Sequence, residues 1–198
     1  MIELRNFLPI KLMAVVLLPF VFYTCTDHRI NVHSYSDCVE PDFLADSGPK
    51  ECLYIVVHTS ENRVPTKITK KNGKQYFRNV AEDRGFPTGS YHFAAYENGE
   101  VDTLAYLNNN SKIEYFEKTC GVAGYNSRSV HIVYVGGLNR FRRCADTRTP
   151  EQQHSLLKLC LNLKAQFPKA EIVGHTELNP QKPCPCFNTS KWLQSLQL

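Results

Sequence analysis

Between Val173 and Phe187 the chain reads VGHTELNPQKPCPCF, which gathers an imidazole (His175), two thiols (Cys184 and Cys186), a cation (Lys182) and three prolines. Imidazole nitrogen and thiolate sulfur form the borderline-to-soft donor set that suits Zn²⁺. A hydrolytic zinc takes three protein ligands and leaves a fourth position for water. Pro180, Pro183 and Pro185 fix φ and exclude helix, so the stretch is expected to be a stiff extended loop that follows a short apolar strand, residues 170–173. Cys184 and Cys186 flank Pro185, and chemistry alone leaves either as a ligand. A further ligand must come from elsewhere, and His58 is the obvious donor. It closes the β-branched run LYIVVH that begins at Leu53, which places its side chain at the rim of a sheet. One zinc ion per chain, held by His58, His175 and a cysteine, is the expectation.

The elements that must position these groups follow from pattern. Residues 53–60 read as a strand, and the Asn72-Gly73 pair in the polar connection after them reads as a turn. Residues 75–84 read as a short helix ended by Gly85 and Pro87. Residues 90–96 alternate as a strand, turn through Asn98-Gly99 and return over 101–107, the strongest local hairpin signal in the chain. Tyr91 and His92 should then face opposite sides of that strand. Residues 129–135 form a β-rich run closed by Gly136-Gly137. The longest helix is expected over 150–167, with Thr149 as N-cap, Pro150 in its first turn and Leu156, Leu159, Leu163 and Phe167 along one face. Residues 190–197 should form a terminal helix docked through Trp192 and Leu193. The fold class is therefore α/β, of the α+β kind, a single domain with a mixed central sheet flanked by helices.

At 198 residues, 42% hydrophobic and 21% charged, the chain is one ordinary globular domain. Its net charge of +4 is compatible with an anionic envelope polymer and demands no nucleic acid. Arg5 and Lys11 precede an apolar stretch over 12–23, the length of a signal-peptide core and too short to span a bilayer. We expect residues 1–25 to be a signal peptide, 26–50 an irregular segment and 51–198 the catalytic domain. Cys25 stands where a bacterial lipoprotein is acylated, although bulky residues precede it, so lipid attachment and an ordinary signal peptide both stay open. Eight cysteines suit an exported chain. A Cys38–Cys52 bridge would tie the irregular segment to the first core strand, and Cys160, among leucines, reads as a buried free thiol.

The blocks VVHTS, GSYHF, GYNSRS with the following VGG, and GHTELNPQKPCPCF resemble, in order and spacing, the zinc-dependent N-acetylmuramoyl-L-alanine amidases of the amidase-2 type, which include the T7 lysozyme and the peptidoglycan recognition proteins. The resemblance runs from Leu53 to the C-terminus. It implies that Cys184, first of the C-P-x-F pattern, is the third ligand and that Cys186 is a packing or disulfide residue. By the same comparison Tyr91 matches the tyrosine of active members and Lys182 the lysine beside the zinc. Asn126 matches a turn beside the cleft, where it would touch substrate; His92, on the strand face opposite Tyr91, either lines the groove with it or is a satisfied interior histidine. His131 lies where the phage relative has a small residue and reads as structural. Thr176-Glu177 replaces a common Arg-Asp, and residues 120–123 lack a histidine of the phage enzyme.

The resemblance implies an exported bacterial-envelope enzyme, monomeric, that hydrolyses the amide between the lactyl group of N-acetylmuramic acid and L-alanine in peptidoglycan or muropeptides. Tyr91 would guide the water and Lys182 stabilise developing charge. The alternative is a module of the same fold that binds peptidoglycan without cutting it. Cys184 and Cys186 could also serve a purely structural loop.

Overall fold

The computed structural model describes residue 38 and residues 48–196. Residues 1–25, expected to be a signal peptide, and Cys25 with them lie outside the described residues. In chain order the elements are β1 (Lys50–Glu51), β2 (Tyr54–Thr59), β3 (Asn62–Arg63), α1 (Lys70–Asp83), β4 (Phe93–Ala95), β5 (Val101–Thr103), β6 (Lys112–Ile113), β7 (Ser129–Tyr134), β8 (Gly137–Leu138), α2 (Pro150–Gln166), β9 (Glu171–Gly174), α3 (His175–Leu178) and α4 (Thr189–Ser195). Two short 3₁₀ turns, Tyr115–Glu117 and Asn126–Arg128, lie between β6 and β7.

The central sheet runs β5-β4-β7-β2-β9. Its inner pairs are parallel and the β4–β5 hairpin is antiparallel, which gives the expected mixed sheet. Every residue of β7 is buried, as befits a strand covered on both faces. Period-two alternation divides the two faces cleanly. Ile55 and Val57 of β2, with Val130 and Ile132 of β7, pack under α2 and α4 against Leu156, Leu163 and Trp192. Val56 and His58, with His131 and Val133, point to the opposite face, where register sets His58 opposite Val133 and Val56 opposite His131. That second face is covered by Phe77 of α1 on one side and by Val122 and Tyr125 on the other.

Helix α2 forms as its caps dictate. The Thr149 side chain accepts from the Gln152 amide at 3.0 Å, and Pro150 opens the first turn. Gln152 is fully buried and donates to the carbonyls of Ala95 and Val135, at 3.0 and 2.8 Å, so one amide ties the helix to β4 and to the residue that follows β7.

Three expectations are corrected. Helix α1 starts at Lys70, so Asn72-Gly73 is its first turn and no reversal. The Asn72 side chain accepts from the Thr69 amide at 2.8 Å, and Gly73 faces the Tyr96 ring, where a Cβ would clash. Cys38 bridges to Cys120, while Cys52 stays a free buried thiol. The 173–187 stretch is also not extended throughout. His175 opens the one-turn helix α3, because no proline occurs before Pro180 and the Glu177 carboxylate accepts from the Gly174 amide at 2.9 Å.

His92 is fully buried. Its Nδ1 accepts from the His131 amide at 2.9 Å, so Nε2 carries the proton and donates to the Glu117 carbonyl at 2.8 Å. Burial lowers its pKa from 6.5 to about 4, partly offset by the Glu117 bond. Below pH 6.5 the unfolded chain takes a proton at this site that the folded chain refuses. The stabilisation is therefore complete above that pH and lost as pH falls toward 4, by roughly 3 kcal/mol in all. Urea midpoints of wild type and His92→Gln followed from pH 7 to 4 should show the shallower slope in the variant.

Candidate metal centre

His58 is the penultimate residue of β2, close to the predicted strand end, but its ring is buried on the sheet face. Its neighbour in the sheet, β9, pairs Val57 with Gly174, so the next residue, His175, arrives beside it with ring centroids 4.8 Å apart. Cys184 completes the group from the proline-rich loop, its Sγ 3.7 Å from His58 Nδ1. The potential ligand atoms of these three buried residues all lie within 4.8 Å of one another. The Thr59 amide donates to Cys184 Sγ at 3.3 Å, a contact that favours thiolate.

Both imidazoles are held neutral, the form that can ligate a cation. Burial, then the proximity of His175, takes the His58 pKa well below its ordinary range. Burial and then the Lys182 cation lower His175 to about 4. Nε2 of His175 is buried without a hydrogen-bond partner among the described residues, a vacancy that an ion would remove. The donor set, the burial and this orphaned nitrogen fit zinc.

The centre lies on the floor of a cleft of about 200 Å³, to which Tyr91, Lys182, Arg84 and Glu61 also contribute. The Tyr91 ring packs 5.2 Å from that of His58. Burial raises the Tyr91 pKa, against a smaller opposing effect of Arg84, which hydrogen-bonds it. The phenol therefore stays protonated and can donate.

Five of the seven sequence-derived candidates among the described residues converge here: His58, His175, Cys184, Tyr91 and Lys182. The other two do not reach the cleft. His92 is enclosed between Glu117 and His131, and Asn126 is fully buried with Oδ1 accepting from the Gly121 and Val122 amides, both at 2.9 Å. Asn126 shapes the loop that forms the cleft wall. Arg84 escaped the sequence reading because it is brought in by the path of α1 across the sheet, and no spacing signal relates it to Tyr91.

The ligand loop is fastened at several points. Tyr134 donates to the Pro185 carbonyl at 2.7 Å, Arg148 lies 3.3 Å over the Phe187 ring, and Cys186 bridges to Cys144. Cys184 takes part in neither described bridge. Cys144→Ser should therefore cost about 2–4 kcal/mol and weaken metal retention, which thermal unfolding with and without added zinc will read. Equal destabilisation in both conditions would mean that the bridge does not hold the ligand loop.

A buried set of two imidazoles and a thiol, open to a cleft that a phenol and an ammonium also line, is a donor set that could hold one metal ion. Residues 48–187 match the N-acetylmuramoyl-L-alanine amidase family, Amidase_2. The endolysin of Klebsiella phage KP32 is 30% identical over 149 residues, which span 75% of this chain and 90% of that protein. Among solved structures, the N-acetylmuramoyl-L-alanine amidase LysC from Clostridium intestinale superposes with a TM-score of 0.56 at 20% identity, over 75% of this chain and 87% of that one. Bumblebee PGRP-SA does so with a TM-score of 0.54 at 14% identity, over 76% and 89%. These two share the fold. The chain belongs to the N-acetylmuramoyl-L-alanine amidase family, and it is an enzyme acting on peptidoglycan.

Proposed function

We propose that the enzyme works with one Zn²⁺ held by His58, His175 and Cys184, and that it cuts the amide between the lactyl group of N-acetylmuramic acid and the L-alanine of the stem peptide. The observation that carries this reading is the convergence of three ligand atoms within 4.8 Å on the floor of a cleft that Tyr91 and Lys182 also line. Zinc bound there would polarise the scissile carbonyl and bring the pKa of water toward neutrality. Tyr91, kept protonated by burial and held by Arg84, orients the attacking water and the proton it must pass to the leaving amine. Lys182 supplies positive charge where the carbonyl oxygen becomes anionic.

The protein would act as an exported monomer in the bacterial envelope, with residues 1–25 as its signal peptide, Cys25 as the site of any lipid anchor and 51–198 as the catalytic domain. The two bridges, Cys38–Cys120 and Cys144–Cys186, support an oxidising compartment. Mass analysis of a muropeptide digest tests the bond. The expected products are a free stem peptide with N-terminal L-alanine and an intact lactyl-bearing sugar. Muropeptide that is bound but returned uncut would point to the non-catalytic binding module instead, and cleavage inside the peptide would overturn the assignment of the bond.

A further inference from the structure

We infer that His131 is a positioning residue that fixes the tautomer of His58 and thereby the strength of the metal centre. The inference rests on the reading of His58, His175 and Cys184 as ligands. Nδ1 of His58 faces Cys184 Sγ at 3.7 Å, so that nitrogen must carry the free lone pair if it is to ligate. The ring proton then belongs on Nε2, which lies 3.1 Å from Nδ1 of His131. His131 Nδ1 must therefore accept, and the proton of that ring sits on its Nε2.

The His131 ring is held for this role from several sides. It stacks on His92 with an interplanar angle of 24° and centroids 6.0 Å apart, and its own amide donates to His92 Nδ1. Gly121 lies against the other side, so close that a Cβ there would collide with the imidazole. The arrangement has a cost. His131 is fully buried, and its Nε2 has no hydrogen-bond partner among the described residues. A buried unsatisfied donor destabilises a fold, and an apolar residue, like the Val130 and Ile132 that flank it in the strand, would avoid that cost. Packing therefore does not explain the imidazole, whereas the bond to His58 does.

The choice of acceptor also matters chemically. Metal-bound histidines commonly donate to a carboxylate or a backbone carbonyl. A carboxylate makes the ligand more basic and adds negative charge near the ion. Neutral imidazole sets the same tautomer and adds none, so the cation retains more of its power to polarise a carbonyl.

The test compares wild type, His131→Leu and His131→Gln in the purified protein. Zinc affinity is measured by chelator competition, the ligand field by the absorption of the Co²⁺-substituted protein, and unfolding by urea with and without zinc. His131→Leu should bind zinc about 10–100-fold more weakly and shift the Co²⁺ bands, with its stability deficit appearing only in the zinc-loaded state. His131→Gln, whose amide oxygen can accept from His58 Nε2, should recover most of the affinity. Unchanged zinc affinity in His131→Leu would overturn the proposal and leave the metal centre standing. Equal losses in both variants, matched by lower stability without zinc, would show a packing role only. Failure of wild type to bind zinc would instead remove the centre itself, and the proposal with it.

Discussion

Replacing Cys184 with serine should leave a folded protein that retains little zinc and turns over muropeptide more slowly by at least about 10³-fold. The expectation follows from the donor set. A hydroxyl is a hard, weakly acidic ligand at neutral pH where the thiolate is a strong one, and the Thr59 amide now aimed at sulfur would help little. Loss of the ion forfeits several kcal/mol of charge stabilisation, and every 1.4 kcal/mol or so is tenfold in rate. Serine is close in size to cysteine, and the loop stays pinned by Cys144–Cys186 and by the Tyr134–Pro185 bond, so the fold should survive. Metal content and circular dichroism measured beside turnover separate this outcome from misfolding. Retention of both zinc and activity would remove Cys184 from the ligand set.

Lys182→Ala should lower kcat about 10²–10³-fold while leaving metal content unchanged and KM little altered. The side chain lines the cleft and lies near enough to His175 to depress that imidazole by its charge. A cation so placed meets negative charge that is small on the ground-state carbonyl and large in the tetrahedral transition state, so its loss falls on kcat. Steady-state kinetics on a defined muropeptide provide the test. A raised KM with unchanged kcat would instead make Lys182 a substrate-binding residue.

Much of this centre was legible before any coordinates, for identifiable reasons. His58 could be read because six β-branched or apolar neighbours announce a strand, and His175 and Cys184 because prolines between them limit where the chain can go. The rest depended on tertiary geometry. Helix α3 was hidden by prolines that begin five residues after His175 and so do not govern it. The Asn72-Gly73 pair carries the same dipeptide signal in a hairpin and in a helical first turn, and only Thr69 three residues earlier favours the helix. An interior His92 was one of two readings its strand position left open, and the burial of Asn126 could not be foreseen, since a strand or turn position says which face a side chain takes and not what covers that face. Both disulfides join segments far apart in the chain, at separations of 82 and 42 residues, where spacing carries no pairing information. Arg84 and the role of His131 belong to the same class. The division of β2 and β7 into two faces was inherent in their alternation, but the contact of His131 with His58 needed the parallel register that sets Val56 opposite it.

The most direct test of the central claim is metal content and muropeptide cleavage measured on one preparation of residues 26–198, before and after chelation and after zinc is restored. About one zinc per chain, with cleavage lost on chelation and recovered on re-addition, is the result this account predicts. Well-folded protein that cleaves the same bond at full rate with no metal bound would contradict it.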